Sequence, residues 1–268
     1  MWLLFLLILL PAVLYLLSLC GRRKHPLLQA LQGRYYAHRG LHNAQRPENS
    51  LAAFQAAVDE GFGMELDIHL LKDGQLAVIH DSLLQRVTGA EGRVEDLTAA
   101  QLCNYHLNGT EQTIPDFRQV LALVDGKVPL IVELKSVSNN YKELCETACN
   151  MLENYNGPYC IESFDPRCVY WLRRHRPHII RGQLVERFTK SAVKVPWILK
   201  FCLTYQLFNF LLLPDFVAHE FGCRKTLSNR LVRKLWGVQG VSWTLRTKEQ
   251  FETALSEGLL PIFENFIP

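Results

Sequence analysis

Four short apolar runs in this chain close on ionisable residues: His38-Arg39, Glu65 with Asp67, His80-Asp81, and Glu133 with Lys135. Residues two apart in a strand share a face, separated by roughly 6.6 Å along it. Glu65 and Asp67 are therefore expected on one face, and Glu133 and Lys135 follow the same rule. Two carboxylates on an inward face repel each other unless a cation neutralises them. Glu65, Asp67 and Glu133 around one opening suit a hard divalent ion with oxygen ligands, Mg²⁺ or Ca²⁺. His38 and His80 are the evident groups here that exchange protons near neutral pH. One can deprotonate a nucleophile while the other protonates a leaving oxygen. Arg39 and Lys135 suit an anionic substrate oxygen such as phosphate. His69 shares the Glu65–Asp67 face farther out and is expected at the rim. In the opposing reading the register is slipped and Leu66 and Ile68 face the core instead. The repetition of the pattern at Glu133-Lys135 and at both histidines weighs against it.

Such groups need strands to carry them. Strand-like runs are predicted at 35–38, 64–70, 76–80, 130–134, 159–164, 179–185, 216–220, 241–245 and 260–264, alternating with helical patterns at 50–59, 116–123, 141–154, 166–175, 229–236 and 248–256. Asn49 or Ser50 is a plausible N-cap for the first helix. The link "LKDG" between the second and third runs is too short for a parallel crossover, so these two must form an antiparallel hairpin turning at Asp73-Gly74. Eight staves remain, each separated by enough chain for a crossover. The expected fold is a TIM (β/α)8 barrel working at its C-terminal strand ends, with a small insertion over about 81–115 after the second barrel strand.

The chain has 268 residues and a formal charge of +3, with scattered basic residues and no RNA-binding aromatic signature, which argues against nucleic acid. Its eight cysteines form no C-x-x-C pair and read as free thiols in a reducing compartment. Trp2 to Cys20 carries no charge and is followed by "GRRKH". At roughly 1.5 Å per residue this run approaches the roughly 30 Å hydrocarbon thickness, so residues 1–21 are expected to be a retained transmembrane helix. Arg22, Arg23 and Lys24 then put the catalytic domain in the cytoplasm by the positive-inside rule. Residues 22–33 read as a basic linker and 34–268 as the barrel. A second apolar stretch, about 196–214, cannot cross a bilayer without stranding the sixth stave. It is expected near the mouth, as a buried crossover helix or in contact with membrane lipid.

The motifs "AHRG", "PENSLAAFQAA", "MELDIHLLKDGQLAVIHD" and "IVELK", in that order, resemble the glycerophosphodiester phosphodiesterase family, and "ESFDP", "SWTLRT" and "EGLLPIFENFIP" agree more weakly. The resemblance covers essentially Arg34 to Pro268. It implies a TIM barrel with a segment inserted after the second strand and His38 and His80 as the acid/base pair. It also implies one divalent cation on Glu65, Asp67 and Glu133, phosphate on Arg39 and Lys135, and Glu48 ordering the site. Trp243 is expected to wall the glycerol side. The family often ends in an Asp-containing "TD-x-P", where this chain has Phe263-Glu264-Asn265, so no role is carried over to that end. The implied reaction is metal-dependent hydrolysis of a glycerophosphodiester to an alcohol and glycerol 3-phosphate. The rivals are a lysophospholipase D acting on membrane lysophospholipids, a metal-dependent sugar isomerase and a catalytically idle, membrane-tethered binding protein. The intact histidine pair and carboxylates disfavour the last, and Arg39 and Lys135 disfavour the isomerase.

Overall fold

The computed structural model describes residues 2–23, 25–190 and 195–268. Nine strands form one sheet: β1 (Tyr36–His38), β2 (Gly63–Leu70), β3 (Leu76–Val78), β4 (Leu130–Leu134), β5 (Tyr159–Ser163), β6 (Arg181–Val185), β7 (Phe216–Glu220), β8 (Gln239–Leu245) and β9 (Leu260–Phe263). β1 pairs in parallel with both β2 and β9, which closes an eight-stranded parallel barrel. β3 lies antiparallel on β2, the hairpin expected from its short link. Residues 81–115 form short helical turns around a small core that includes Ile79, Leu84, Val94, Leu102 and Ile114.

Strand parity sorts the side chains into two layers. Met64, Leu66, Ile68, Leu130, Val132 and Leu134 pack outward against the helices. Tyr36, Ile131, Leu184, Ala218, Val241 and Ile262 fill the barrel interior. The outward set of β2 and β4 is wholly apolar, which forces Glu65, Asp67 and Glu133 inward.

The N-terminal expectation is corrected. The apolar run forms a 17-residue helix, Trp2–Ser18, roughly 26 Å long. Among the described residues no helix is long and apolar enough to cross a membrane. The chain turns into the barrel where a span would have to continue. Leu19 is buried with Val185, Val217, Val232 and Val238, and the Trp236 indole donates to the Leu16 carbonyl at 2.9 Å. Two of the basic residues that supported a cytoplasmic orientation, Arg22 and Arg23, are occupied by protein. Arg22 makes a bidentate pair with Asp215 at 2.5 and 2.6 Å. Arg23 donates to the carbonyls of Leu235 and Trp236. Lys24 lies outside the described residues. Leu28 and Leu31, from the stretch read as a linker, belong to the barrel-interior cluster.

The second apolar stretch folds back on itself as two short helices, Trp197–Thr204 and Asn209–Leu212. Gln206 makes the bend at φ +60°, and its side chain donates to Asn229 at 2.5 Å.

The turn after β1 shows why the chain reads "HRG". Arg39 and Gly40 both have positive φ, +56° and +79°. A Cβ on Gly40 would stand 2.9 Å from the Ala53 carbonyl carbon. Gly40→Ala is therefore expected to lower stability by about 1–3 kcal/mol, read from the midpoint of urea unfolding. A midpoint equal to the parent's would remove the backbone argument for this glycine.

Candidate active site

β2 and β4 lie side by side with Asp67 opposite Glu133. β1 sets His38 opposite Glu65. Glu65, Asp67 and Glu133 are 3, 1 and 6 % exposed, and one oxygen from each lies within 4.8 Å of the others. Burial, then repulsion from Asp67 and Glu133, pushes the Glu65 carboxyl well above its ordinary range. Burial likewise raises Glu133 to about 7, against the pull of Lys135. Burial acts in the same direction on Asp67, but Lys135, His80 and Arg39 outweigh it and hold that group well below the usual carboxylate range. The Lys135 ammonium stands 3.0 Å from Asp67 and 2.7 Å from Glu133. Three acids face Lys135 and Arg39, which leaves more acidic donors than cations in a dry space. The clustered all-oxygen donors therefore fit a hard divalent cation.

Both histidines point one ring nitrogen at a carboxylate. His38 Nδ1 is 2.5 Å from Glu264 Oε2, and His80 Nδ1 is 2.6 Å from Asp81 Oδ1. A carboxylate can only accept, so Nδ1 carries the hydrogen in both and Nε2 is left with its lone pair. Burial lowers the His38 imidazole below its ordinary value. It lowers His80 to about 4, against the attraction of Asp67. Both rings are thus neutral at pH 7. Burial opposes ionisation of Glu264, yet its contacts with His38 and His42 prevail and its carboxyl lies far below the usual range.

Arg39 is held over the cluster. Its backbone N–H donates to Glu65 at 3.1 Å, its Nε is 3.4 Å from Asp67, and its guanidinium donates to Glu48 at 2.8 Å. Glu48 also takes two bonds from Arg86, at 2.9 and 2.7 Å. Arg86 in turn donates to Asp81. Glu48 is thereby a hub between Arg39 and the Asp81–His80 pair, and these cations pull it down to about 2 although burial opposes ionisation. Asn49, at φ +55°, donates to Asp67 at 2.9 Å. It is Ser50 that caps the following helix, accepting from Ala53 N–H at 3.1 Å.

His69 is not at the rim. It is 2 % exposed, bonded to Glu95 at 2.8 Å and 3.1 Å from the His80 carbonyl. The residues that sequence reasoning missed are Glu264, Asn49, Arg86 and Glu162. Glu162 faces Glu133 across β5 at 1 % exposure, and burial followed by Glu133 raises its carboxyl well above the ordinary range. The inward parity of "YCIES" could have found Glu162. No local signal could have found the contact of Glu264 with His38.

A chamber of about 1140 Å³ opens on His80, Glu133 and Lys135. Its walls are largely apolar and include Phe164, Phe188, Leu199, Leu203, Leu212 and Trp243. Trp243 meets Phe164 edge to face at 5.8 Å. Trp243 thus lines the chamber, and the folded-back stretch after β6 builds much of its wall.

Residues 38–267 match the model of the Glycerophosphoryl diester phosphodiesterase family. A glycerophosphodiester phosphodiesterase of Caldanaerobacter subterraneus is 30% identical over 236 residues, covering 83% of this chain and 90% of that protein. Human glycerophosphodiester phosphodiesterase 1 is 27% identical over 264 residues, covering 84% of this chain and 76% of that one. Among solved structures, an Oleispira antarctica phosphodiesterase in complex with the product sn-glycerol-3-phosphate aligns with a TM-score of 0.72 at 22% identity, over 86% of this chain and 92% of that one. A Thermotoga maritima glycerophosphodiester phosphodiesterase aligns at 0.67 and 22%, over 87% and 95%.

Proposed function

Because the chain belongs to the glycerophosphoryl diester phosphodiesterase family, we propose that it hydrolyses glycerophosphodiesters to an alcohol and glycerol 3-phosphate by proton transfer between two histidines. The observation that carries this reading is the pair of carboxylate-backed imidazoles flanking the Glu65, Asp67 and Glu133 cluster.

In this reading Glu65, Asp67 and Glu133 hold one divalent cation, Mg²⁺ or Ca²⁺. When bound, it supplies Lewis-acid neutralisation of the phosphodiester charge. Arg39 and Lys135 bind the non-bridging oxygens and stabilise the charge that grows on them. One imidazole takes a proton at Nε2 from the attacking hydroxyl, either water or the substrate's own glycerol hydroxyl, the latter giving a cyclic phosphate that water opens in a second round of the same proton transfers. The other gains a proton at Nε2 when the anionic phosphodiester enters beside it, and as imidazolium it returns that proton to the departing alkoxide. Glu264 and Asp81 hold the two rings in the tautomer that presents Nε2. Glu48 keeps Arg39 and Arg86 in place.

The test is release of glycerol 3-phosphate from glycerophosphocholine with Mg²⁺ or Ca²⁺, and its loss with chelator. No release with either ion would sink the reading. Glu264→Gln is expected to lower kcat about 10- to 100-fold with little change in KM, because the ring loses its orientation while the phosphate contacts stay. A KM effect with kcat intact would place Glu264 in substrate binding instead.

The chamber favours a second reading, in which a lysophospholipid places its acyl chain against Leu199, Leu203 and Phe208. Leu203→Asp is then expected to lower the ratio of kcat/KM for lysophosphatidylcholine over glycerophosphocholine by about tenfold or more. An equal fall for both substrates counts against an acyl site.

A further inference from the structure

Next to the three-carboxylate cluster stands a second group of donors with a different chemistry. His38 Nδ1, His42 Nε2 and Glu264 lie with their ligand atoms within 4.8 Å of one another. Glu264 Oε2 is 2.5 Å from His38 Nδ1 and 3.8 Å from His42 Nε2. His42 Nε2 is buried and has no hydrogen-bond partner, and its side chain is only 18 % exposed. A cavity of about 380 Å³, lined by His42, Glu264, Gly40 and Phe263 among others, gives a small ion and its water a way in.

We propose that His38, His42 and Glu264 form a second cation site, selective for zinc over magnesium and calcium, whose occupation stops His38 from accepting a proton. Two imidazoles and one carboxylate, with a fourth position left to water, make a common zinc ligand set. Mg²⁺ and Ca²⁺ prefer an all-oxygen shell and have no reason to leave Glu65, Asp67 and Glu133. Donors around tetrahedral zinc lie about 3.3 Å apart, given bonds of roughly 2.0–2.2 Å. The two distances to Glu264, 2.5 and 3.8 Å, bracket that spacing, and the two imidazoles offer nitrogens within 4.8 Å of each other. Two cationic neighbours oppose the ion: Arg246, 3.2 Å from the other Glu264 oxygen, and Arg46 on the cavity wall. We therefore expect micromolar affinity.

The consequence for His38 is a change of tautomer with no net loss of a proton. Zinc takes the Nδ1 lone pair, the ring hydrogen moves from Nδ1 to Nε2, and the Glu264 hydrogen bond is exchanged for a shared metal. A ring protonated at Nε2 cannot accept a proton there. Inhibition rests on His38 acting as the general base, but zinc binding does not.

The experiment titrates zinc into the full chain loaded with Mg²⁺, following binding by calorimetry and glycerophosphocholine hydrolysis in parallel. One zinc ion is expected to bind beyond the magnesium and to lower kcat, with no relief at higher Mg²⁺. His42→Gln should retain hydrolysis and need at least about tenfold more zinc for both effects. Co²⁺ in place of zinc should give the visible absorption of a four-coordinate nitrogen/oxygen site in the parent and not in the variant, a readout independent of turnover. The proposal is overturned if His42→Gln binds zinc as the parent does, or if raised Mg²⁺ abolishes the inhibition, since zinc then sits in the three-carboxylate cluster. His42-dependent binding without inhibition would overturn the inhibitory half of the proposal and exclude His38 as the general base.

Discussion

His80→Ala and His38→Ala should each lower kcat for glycerophosphocholine by about 100- to 10,000-fold, with the far-UV circular dichroism and the cation affinity of the parent. The case is strongest for His80. Its ring is lowered to about 4, by burial first, so it is neutral over the working pH range. Asp81 fixes the hydrogen on Nδ1, and Asp81 is itself held by Arg86, which leans on Glu48. The lone pair of Nε2 therefore remains available without any rearrangement. Alanine leaves this scaffold standing and removes only the proton carrier. Imidazole in the buffer should restore part of the His80→Ala activity, since the chamber opens on that residue. Turnover within about threefold of the parent for either variant would exclude that histidine from general acid–base work.

Removal of the Asp67 charge should be as damaging, through a different route. Without a cation, Glu65 is pushed well above its ordinary range and Glu133 to about 7. Asp67 alone is kept far down, because Lys135, His80 and Arg39 prevail over burial. It is the anion of the trio that is present at neutral pH before any metal arrives. Asp67→Asn is expected to weaken Mg²⁺ or Ca²⁺ binding by more than about 100-fold and to lower turnover with it. Calorimetry of the cation and activity against cation concentration measure the two effects. Unchanged affinity would take Asp67 out of the ligand set. The same electrostatics give a pH dependence. Below about 7, a proton on Glu133 competes with the cation, and above it the carboxylate is already free. Cation affinity should therefore rise as pH increases through about 7, and the raised Glu65 carboxyl adds to the same upward trend. An affinity flat between pH 6 and 8 would show that Glu133 does not ligate.

Parity did most of what sequence reading could do. "MELDIHL" and "LIVEL" put apolar residues at one spacing and acids at the other. Once the apolar set is buried against helices, Glu65, Asp67 and Glu133 have only the barrel interior left to face. The "LKDG" link demanded a hairpin on length alone, and β3 lies antiparallel on β2. These inferences succeeded because they depend on steps of one or two residues, where backbone geometry leaves little choice.

Hydropathy failed at the N-terminus for a related reason. It measures how much a segment gains by leaving water, and is silent on which apolar surface receives it. Here Leu9, Leu10, Val13, Leu14 and Leu17 stay exposed, while Leu19, just past the helix, found Val185, Val217, Val232 and Val238, and Arg22 found Asp215. Both partners are far along the chain. His69 was misplaced in the same way, because the segment that covers it, with Glu95, belongs to the excursion after β3.

The residues alone thus determined the barrel, its hairpin, and the strand-end positions of His38, Glu65, Asp67, Glu133 and Lys135. Tertiary structure decided how those groups are paired. Closure of β1 against β9 brings Glu264 to His38 across 226 positions of sequence. The fold-back between β6 and β7 turns an apolar stretch into the wall of a chamber. Strand periodicity is written in local backbone geometry, whereas a contact between chain ends exists only after the sheet has closed on itself.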